Sequence, residues 1–151
     1  MALSPDELTQ YIGKEIGISD WFPITQERIN RFAEATEDFQ QIHVDPEYAA
    51  SIELGTTVAH GYLLISLIPK LLGQCGLEMP PGQMVVNRGI TNWEFKNYVR
   101  VNQDVRIRVK VADAKAMRGH GLLVTFLIVL EVKDERRPAC QGEIVFYFPK
   151  Q

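Results

Sequence analysis

The chain has 151 residues, of which 46% are hydrophobic and 23% are charged, with 16 Lys and Arg against 19 Asp and Glu. These values predict one globular domain, residues 1–151, whose core needs no disulfide or metal, and they exclude disordered, collagen-like and coiled-coil chains. The net charge of −3 argues against a nucleic-acid-binding domain, which normally carries a basic surface.

No apolar run reaches the roughly 20 residues that a bilayer-spanning helix needs. The first residues also lack the basic start and the apolar centre of a signal peptide. We therefore expect a cytoplasmic protein without a membrane span. Its two cysteines, Cys75 and Cys140, lie 65 positions apart and are expected to be reduced and buried.

The first half of the chain is predicted to be mainly helical. Residues 4–7 have the pattern of a capping box with proline at the first helical position, which predicts a short helix ending near Gly13. Residues 15–24 alternate like an extended segment. A second helix begins after Thr25, because its apolar residues recur with helical spacing. That buried stripe consists of Ile29, Phe32, Ala33 and Thr36.

Two breaks and a strongly apolar helix follow. Residues 38–45 lack a clean period and predict a loop or broken turn, after which Asp45 and Pro46 begin another short helix. Residues 55–57 break the chain again. From Gly61 to Leu72 the sequence is apolar nearly all round, which predicts a helix in the interior of the protein with a kink at Pro69.

The pattern changes to strands after residue 82. Residues 105–111 alternate between apolar and basic side chains, which is the period of a half-exposed strand. Residues 87–98, 122–132 and 140–148 predict three more strands. The sequence therefore predicts an α+β architecture in which an antiparallel sheet wraps around a central hydrophobic helix.

Two polar side chains in the predicted loop are candidates for chemistry. Asp38 and His43 lie five positions apart and can meet if the chain turns between them. A carboxylate beside an imidazole is a usual pair for moving protons near neutral pH. From spacing alone the plainer interpretation is favoured, in which Asp38 caps a turn and His43 is a satisfied, half-buried histidine.

The segment from Gly55 to Gly61 leads directly into the apolar helix. The first turn of a helix leaves backbone N–H groups unpaired, and these suit a developing oxyanion. Gly61 would let a ligand approach that backbone without a Cβ in the way. Taken by itself, the segment is better explained as a plain junction whose glycine serves packing.

Together, these two stretches resemble the MaoC-like family of hot-dog-fold enzymes, which includes the (R)-specific enoyl-CoA hydratases. The hydratase motif has an Asp, an Asn two residues later and a His five after the Asp, followed downstream by a His-Gly pair that opens the central helix. This chain carries Asp38, His43 and His60-Gly61 in those places. The residues around them, with Asn87 and Gly89, are most similar to the NodN-like subgroup.

The chain departs from that motif at Gln40, where the better-described hydratases have Asn, and at Gln41, where many have Pro. A longer amide could still orient water or the thioester. We assign Gln40, His60, Ser66 and Asn87 to substrate binding. Two alternatives stay open: Ser66 bonding back to a helical carbonyl, and Asn87 serving as a turn residue before Gly89.

The resemblance implies a hot-dog domain that catalyses reversible syn hydration of trans-2-enoyl-CoA to (R)-3-hydroxyacyl-CoA. Asp38 and His43 would activate one water, one as base and the other as acid, and the sequence does not assign which. The Gly61 N–H would stabilise charge on the thioester oxygen. No metal or other cofactor is required, because the thioester itself acidifies the α-carbon. The resemblance also implies a homodimer whose sheets join edge to edge.

Other functions and further substrate contacts remain open on this scaffold. An acyl-CoA thioesterase would use a similar site, and Gln40 keeps a non-catalytic acyl-CoA-binding protein possible. Four residues of the apolar helix could line an acyl tunnel, although core packing explains them better, and three cations are available for the CoA phosphates. The tunnel residues are Leu63, Leu64, Leu67 and Ile68, and the cations are Arg88, Lys96 and Arg100.

Overall fold

The computed structural model of this protein describes residues 3–119 and 121–150. A 3₁₀ helix, Pro5–Tyr11, is followed by the short strands β1 (Glu15–Ile18) and β2 (Phe22–Pro23). The helices are α1 (Gln26–Thr36), α2 (Gln41–Val44), α3 (Pro46–Ser51), α4 (Gly61–Ser66) and α5 (Ile68–Leu72). The long strands are β3 (Val86–Phe95), β4 (Asp104–Met117), β5 (Gly121–Val132) and β6 (Cys140–Pro149).

The helix starts predicted from capping residues are confirmed. The Ser4 backbone N–H donates to the Glu7 carboxylate at 2.9 Å, although the helix that it opens is a 3₁₀ helix. At the start of α1, the Thr25 hydroxyl accepts from the Arg28 N–H at 3.2 Å. At the start of α3, the Asp45 carboxylate accepts from the Tyr48 N–H at 3.0 Å. Each cap satisfies a backbone N–H that has no partner within its helix.

Residues 38–45, predicted as a loop or broken turn, contain regular helical structure. One helical turn, α2, lies inside this segment, and the Asp45 N–H donates to the Gln41 carbonyl at 3.0 Å. A single turn is too short to show a helical period in the sequence. This turn matters because it carries His43.

The predicted apolar helix is two helices rather than one. α4 ends at Ser66 and α5 begins at Ile68, so the break lies just before Pro69. Proline has no N–H to donate, and its ring clashes with the carbonyl four residues earlier, which explains the break. The expectation of burial all round is also wrong, because Tyr62 is 72% exposed and Ser66 is exposed as well.

The antiparallel sheet is confirmed, and its strand order is β1-β4-β5-β6-β3, with β2 also paired to β4. Along β4 the predicted alternation holds, because Val105, Ile107, Val109 and Val111 are fully buried while the residues between them face outward. These side chains pack with those of α4 and α5 in one hydrophobic core. In the part of the chain that is described, no helix has the length and apolar character needed to cross a bilayer.

Strand β3 forms one edge of this sheet and is exposed along almost its whole length. It spans Val86–Phe95 rather than the predicted 87–98. Its apolar side chains Val86, Ile90 and Phe95 are 39%, 49% and 54% exposed. An exposed apolar edge strand carries unpaired backbone groups that favour pairing with another strand.

The two cysteines are free and buried, as expected. Burial raises the pKa of Cys75 to about 12. Burial also raises the pKa of Cys140 to about 12, and the Trp93 side chain acts in the opposite direction. Both thiols are therefore protonated near neutral pH and unsuited to act as nucleophiles.

Candidate active site

A left-handed turn brings Asp38 back toward the body of the protein. Glu37, which ends α1, has φ 59° and ψ 21°. This conformation costs about 1–2 kcal/mol in a residue other than glycine. It reverses the chain, so that the Asp38 N–H donates to the Thr36 hydroxyl at 3.4 Å and the Gln40 N–H donates to the Asp38 carboxylate at 3.4 Å.

His43 lies on α2 and is only 7% exposed. Its Nδ1 lies 2.7 Å from the Val58 carbonyl oxygen. A carbonyl can only accept, so Nδ1 carries the proton and Nε2 is left with a free lone pair. Burial lowers the pKa of His43 below its usual value near 6.5, and His60 lowers it further, whereas the Val58 bond and Asp38 oppose the shift. His43 is therefore a neutral base at pH 7.

His60 comes directly before α4 and is 2% exposed. Its Nε2–H donates to the backbone carbonyl of Asp38 at 3.0 Å. Its ring stacks on His43 with the centroids 3.9 Å apart and the planes at 25°, and Phe32 lies 4.9 Å away. Among the described residues, His60 Nδ1 has no hydrogen-bond partner.

Gly61 begins α4, and its N–H donates to no atom in the described part of the chain, as expected for the first residue of a helix. A Cβ built on Gly61 would lie 2.7 Å from Cε1 of Phe95. Glycine is thus needed here because an aromatic ring packs directly against the backbone. Of the two reasons that the sequence offered for this glycine, approach of a ligand and packing, the contact with Phe95 supports packing.

These groups open onto a cavity of about 550 Å³. Asp38, His43, His60 and Gly61, predicted from two separate stretches, all line it. The rest of its lining comes from α2, from the segment before α4, from α4 itself and from the residues around the end of β3. Those residues are Ile42, Val58, Ala59, Tyr62, Leu64, Phe95, Lys96, Asn97, Tyr98 and Val99.

The spacing of the polar atoms suits a bridging water. One carboxylate oxygen of Asp38 and one ring nitrogen each of His43 and His60 lie within 4.8 Å of one another. Two hydrogen bonds of about 2.8 Å through one water span a gap on the order of 4.5–5 Å. A metal ion fits less well, because ring lone pairs lie in the ring plane and two stacked rings cannot both point at one ion about 2 Å away.

A second cavity, of about 520 Å³, lies beside the exposed face of α4 and α5. Ser66 and Asn87 line it together with Ile65 and Pro69. The Ser66 hydroxyl donates to the Tyr62 carbonyl at 2.7 Å, which is the back-bonding alternative. The two predicted substrate-binding residues are thus brought together, but in a different cavity from the one that Asp38 and His43 line.

Core packing, the favoured interpretation of the four apolar residues Leu63, Leu64, Leu67 and Ile68, is confirmed, because all four belong to the hydrophobic core. Leu67 and Ile68 are buried in the core, and of the four predicted residues Leu64 lines the first cavity. The α4 and α5 side chains that border the second cavity are instead Ile65, Ser66 and Pro69. Periodicity could not distinguish these faces, because nearly every position of the helix is apolar.

The remaining predicted residues lie around the two cavities. Gln40 is exposed, precedes α2 and is not among the lining residues, so its part in substrate binding stays a prediction. Lys96 lines the first cavity and pairs with Glu94 at 3.1 Å. Arg88 lines the second cavity. Arg100 lines neither of them.

Three residues with structural parts in the site were not predicted from the sequence. They are Val58, which orients His43, and Phe32 and Phe95, which pack against His60 and Gly61. Phe32 was assigned only to the buried stripe of α1. A backbone carbonyl leaves no signal in the residue type, and apolar rings next to a site look like ordinary core or surface residues.

The chain is similar to known proteins over most of its length. Residues 7–132 match the family model described as the MaoC like domain. The chain is 35% identical over 139 residues to 3-hydroxyacyl-thioester dehydratase Z of Mycobacterium tuberculosis, covering 92% of this chain and 91% of the relative. It is 32% identical over 138 residues to Nodulation protein N of Rhizobium meliloti, covering 91% and 86%.

A solved structure supports the same grouping. The (R)-hydratase from A. caviae involved in PHA biosynthesis superposes with a TM-score of 0.71 at 28% identity, over 87% of this chain and 95% of that one. This confirms the predicted α+β hot-dog architecture. Because the family model covers most of the chain and relatives above 30% identity span nearly all of it, the protein belongs to the MaoC-like dehydratase family.

Proposed function

We propose that this protein catalyses the reversible hydration of trans-2-enoyl-CoA to (R)-3-hydroxyacyl-CoA. The observation that carries the proposal is the pair formed by Asp38 and His43, because the Nε2 of His43 is unprotonated and a carboxylate oxygen of Asp38 lies within 4.8 Å of a His43 ring nitrogen. Both residues line the cavity that Gly61 also lines. The names of the similar proteins, a 3-hydroxyacyl-thioester dehydratase and an (R)-hydratase, agree with this reaction class.

The protons can be accounted for with His43 as the base. Its Nε2 takes a proton from the water while the water oxygen bonds to C3, and the double-bond electrons move toward the thioester carbonyl. The imidazolium then returns a proton to C2 on the same face as the carbonyl re-forms. Asp38 accepts a hydrogen bond from the second O–H of the water, which remains as the product hydroxyl, and it stabilises the imidazolium, since its charge acts to raise the pKa of His43.

Charge develops on the thioester oxygen during this addition and needs a donor. The Gly61 N–H is available because it begins a helix and makes no other hydrogen bond in the described part of the chain. The thioester acidifies C2 by itself, so the proposed chemistry requires no metal and no organic cofactor.

The acyl chain and the CoA moiety would extend from this point along different surfaces. The exposed face of α4 leads from Tyr62 to the second cavity, where Ser66 and Asn87 would contact the acyl chain. Lys96 at the first cavity and Arg88 at the second are cations within reach of a phosphate. A direct role for Gln40 would require its amide to turn toward Asp38.

A homodimer paired through β3 fits the exposed edge of the sheet. Pairing would satisfy the unpaired backbone groups and cover Val86 and Ile90. Tyr62 and Phe95, which line the first cavity, are exposed beside the same edge, so a second subunit would lie next to the site. Light scattering should give twice the chain mass, and Ile90→Lys should give a monomer; a monomeric wild type would refute this pairing.

Turnover of crotonyl-CoA tests the proposed function. Loss of enoyl absorbance without release of free thiol is expected. Thiol release would instead assign a thioesterase, and saturable binding of acyl-CoAs without turnover would assign a binding protein. Folded protein that hydrates neither short, medium nor long trans-2-enoyl-CoAs would refute the proposal.

Asp38→Asn provides the matched control, because it keeps the shape of the side chain and removes the charge. Activity should fall by about 10²–10⁴-fold while the fold is retained. Wild-type rates in this variant would reject the role of Asp38.

Residence in the cytoplasm is proposed as well, and the free thiols Cys75 and Cys140 are compatible with a reducing compartment.

A further inference from the structure

We propose that His60 is a positioning residue with two separable parts: its Nε2–H holds the backbone of Asp38, and its ring forms the wall against which His43 lies. The inference rests on the proposed function, because it concerns how the pair of Asp38 and His43 is held. It departs from the sequence interpretation, which assigned His60 to substrate binding.

The first part follows from how few contacts hold Asp38. Its own N–H and the N–H of Gln40 make local hydrogen bonds of 3.4 Å, at the long end of the range. The bond from His60 Nε2 to the Asp38 carbonyl is shorter, at 3.0 Å, and joins residues 22 positions apart. This bond therefore sets where the Asp38 segment lies relative to the start of α4.

The second part follows from the stacking of the rings. Val58 fixes the direction of the His43 ring through one hydrogen bond, but a single bond leaves the tilt of the ring free. The His60 ring, 3.9 Å away and nearly parallel, restricts that tilt and keeps water from one face of His43. Phe32 packs against His60 with the ring centroids 4.9 Å apart, and this contact helps to hold the His60 ring in place.

The hydrogen-bond inventory of His60 favours function over simple packing. Donation from Nε2 to a carbonyl leaves Nδ1 as an acceptor, and this buried nitrogen has no partner among the described residues. A phenylalanine would fill the same space without burying an unsatisfied polar atom. An imidazole at this position is explained if its Nε2–H is needed for Asp38.

Two substitutions separate the parts. His60→Phe keeps a ring against His43 and removes the donor to Asp38, whereas the Nε2 of glutamine in His60→Gln reaches the place of the histidine Nε2 and keeps the donor without the ring. For His60→Phe we expect kcat to fall about 10- to 100-fold with KM within about twofold, since misplacement by 1 Å costs about 10²-fold. The acid limb of kcat/KM against pH should move less than in His60→Gln, because the phenylalanine ring still keeps water from His43 although the neighbouring imidazole is lost in both variants.

For His60→Gln we expect a smaller loss of kcat and an acid limb at higher pH. The reason is that water reaches the face of the His43 ring that His60 covered, and that the imidazole of His60, which lowers the pKa of His43, is lost. Asp38 and His60 are the titratable groups that shift the pKa of His43. Unchanged kcat and pH profile in both variants would overturn the proposal. So would equal losses in both with raised KM and lowered Tm, which a merely structural role predicts.

Imidazole ¹⁵N NMR tests the inference without any turnover, so that its failure can be distinguished from failure of the proposed function. In the wild type, His60 should be protonated at Nε2 and His43 at Nδ1, with the signals assigned from His60→Phe and His43→Asn. His43 should titrate at higher pH in His60→Gln than in His60→Phe. A His60 protonated at Nδ1 would overturn the proposal even if crotonyl-CoA is hydrated.

Discussion

His43→Asn should separate the chemical role of His43 from its structural role. The asparagine Nδ2 lies close to the place of the histidine Nδ1, so it can still donate to the Val58 carbonyl, 2.7 Å away in the wild type. It carries no counterpart of Nε2. His43→Ala removes both nitrogens, and in the described part of the chain the Val58 oxygen receives no other hydrogen bond.

The structure indicates the size of each effect. Leaving a buried carbonyl without a donor costs about 1–3 kcal/mol, so His43→Ala should be less stable than His43→Asn by about that amount. Loss of the base should reduce kcat by about 10²–10⁴-fold in both variants. At about 1.36 kcal/mol per tenfold, this loss raises the barrier by about 2.7–5.4 kcal/mol.

Urea unfolding and initial rates on crotonyl-CoA measure the two effects independently. We expect His43→Asn to unfold at a higher urea concentration than His43→Ala, with equal m values and equally low activity. Equal stability of the two variants would refute the Val58 hydrogen bond as an anchor. Activity of His43→Asn within tenfold of the wild type would refute Nε2 as the base.

Three further outcomes are expected. The pKa of His43 is lowered in the folded protein, so at pH values between the folded pKa and the usual value near 6.5 the unfolded chain binds more protons than the folded one, and stability should fall as pH drops through this range. In His43→Asn the urea midpoint should therefore depend less steeply on pH. An unchanged slope of midpoint against pH would contradict this expectation. Gly61→Ala should displace the half-exposed Phe95 ring and lower kcat/KM. The loss should be smaller when Phe95 has already been changed to alanine. Additive effects of the two substitutions in the double variant would contradict the contact. Because φ of Glu37 is 59°, Glu37→Gly should unfold at the same or a higher urea concentration than the wild type and should be more stable than Glu37→Val by about 1–2 kcal/mol. Equal stabilities of the two variants would argue against the left-handed turn.

Several features of the secondary structure and of the candidate site could be predicted from the sequence. Alternation of apolar and basic side chains in residues 105–111 predicted β4, because a strand with one buried face imposes that period directly. The helix caps at Thr25 and Asp45 were predicted because capping is a local interaction. The motif of Asp38, His43 and His60-Gly61 predicted residues that line one cavity in the folded protein.

Other features depend on contacts that have no local signal. The face of α4 that meets solvent could not be predicted, because Tyr62, Ile65 and Ser66 occur in a run that is apolar nearly all round. The turn that carries His43 is too short for a period. The packing partner of Gly61 could not be predicted either, since Phe95 lies 34 positions further along the chain and meets it only in the folded protein.

The sequence by itself determined the residue types of the site, the strand pattern and the family, because each depends on local spacing along the chain. Only the tertiary structure decided which nitrogen of each histidine carries a proton. That choice depends on the carbonyl groups of Val58 and Asp38, which lie 15 and 22 positions from the rings that they orient. Every residue has the same carbonyl group, so its place in the site follows from the fold alone.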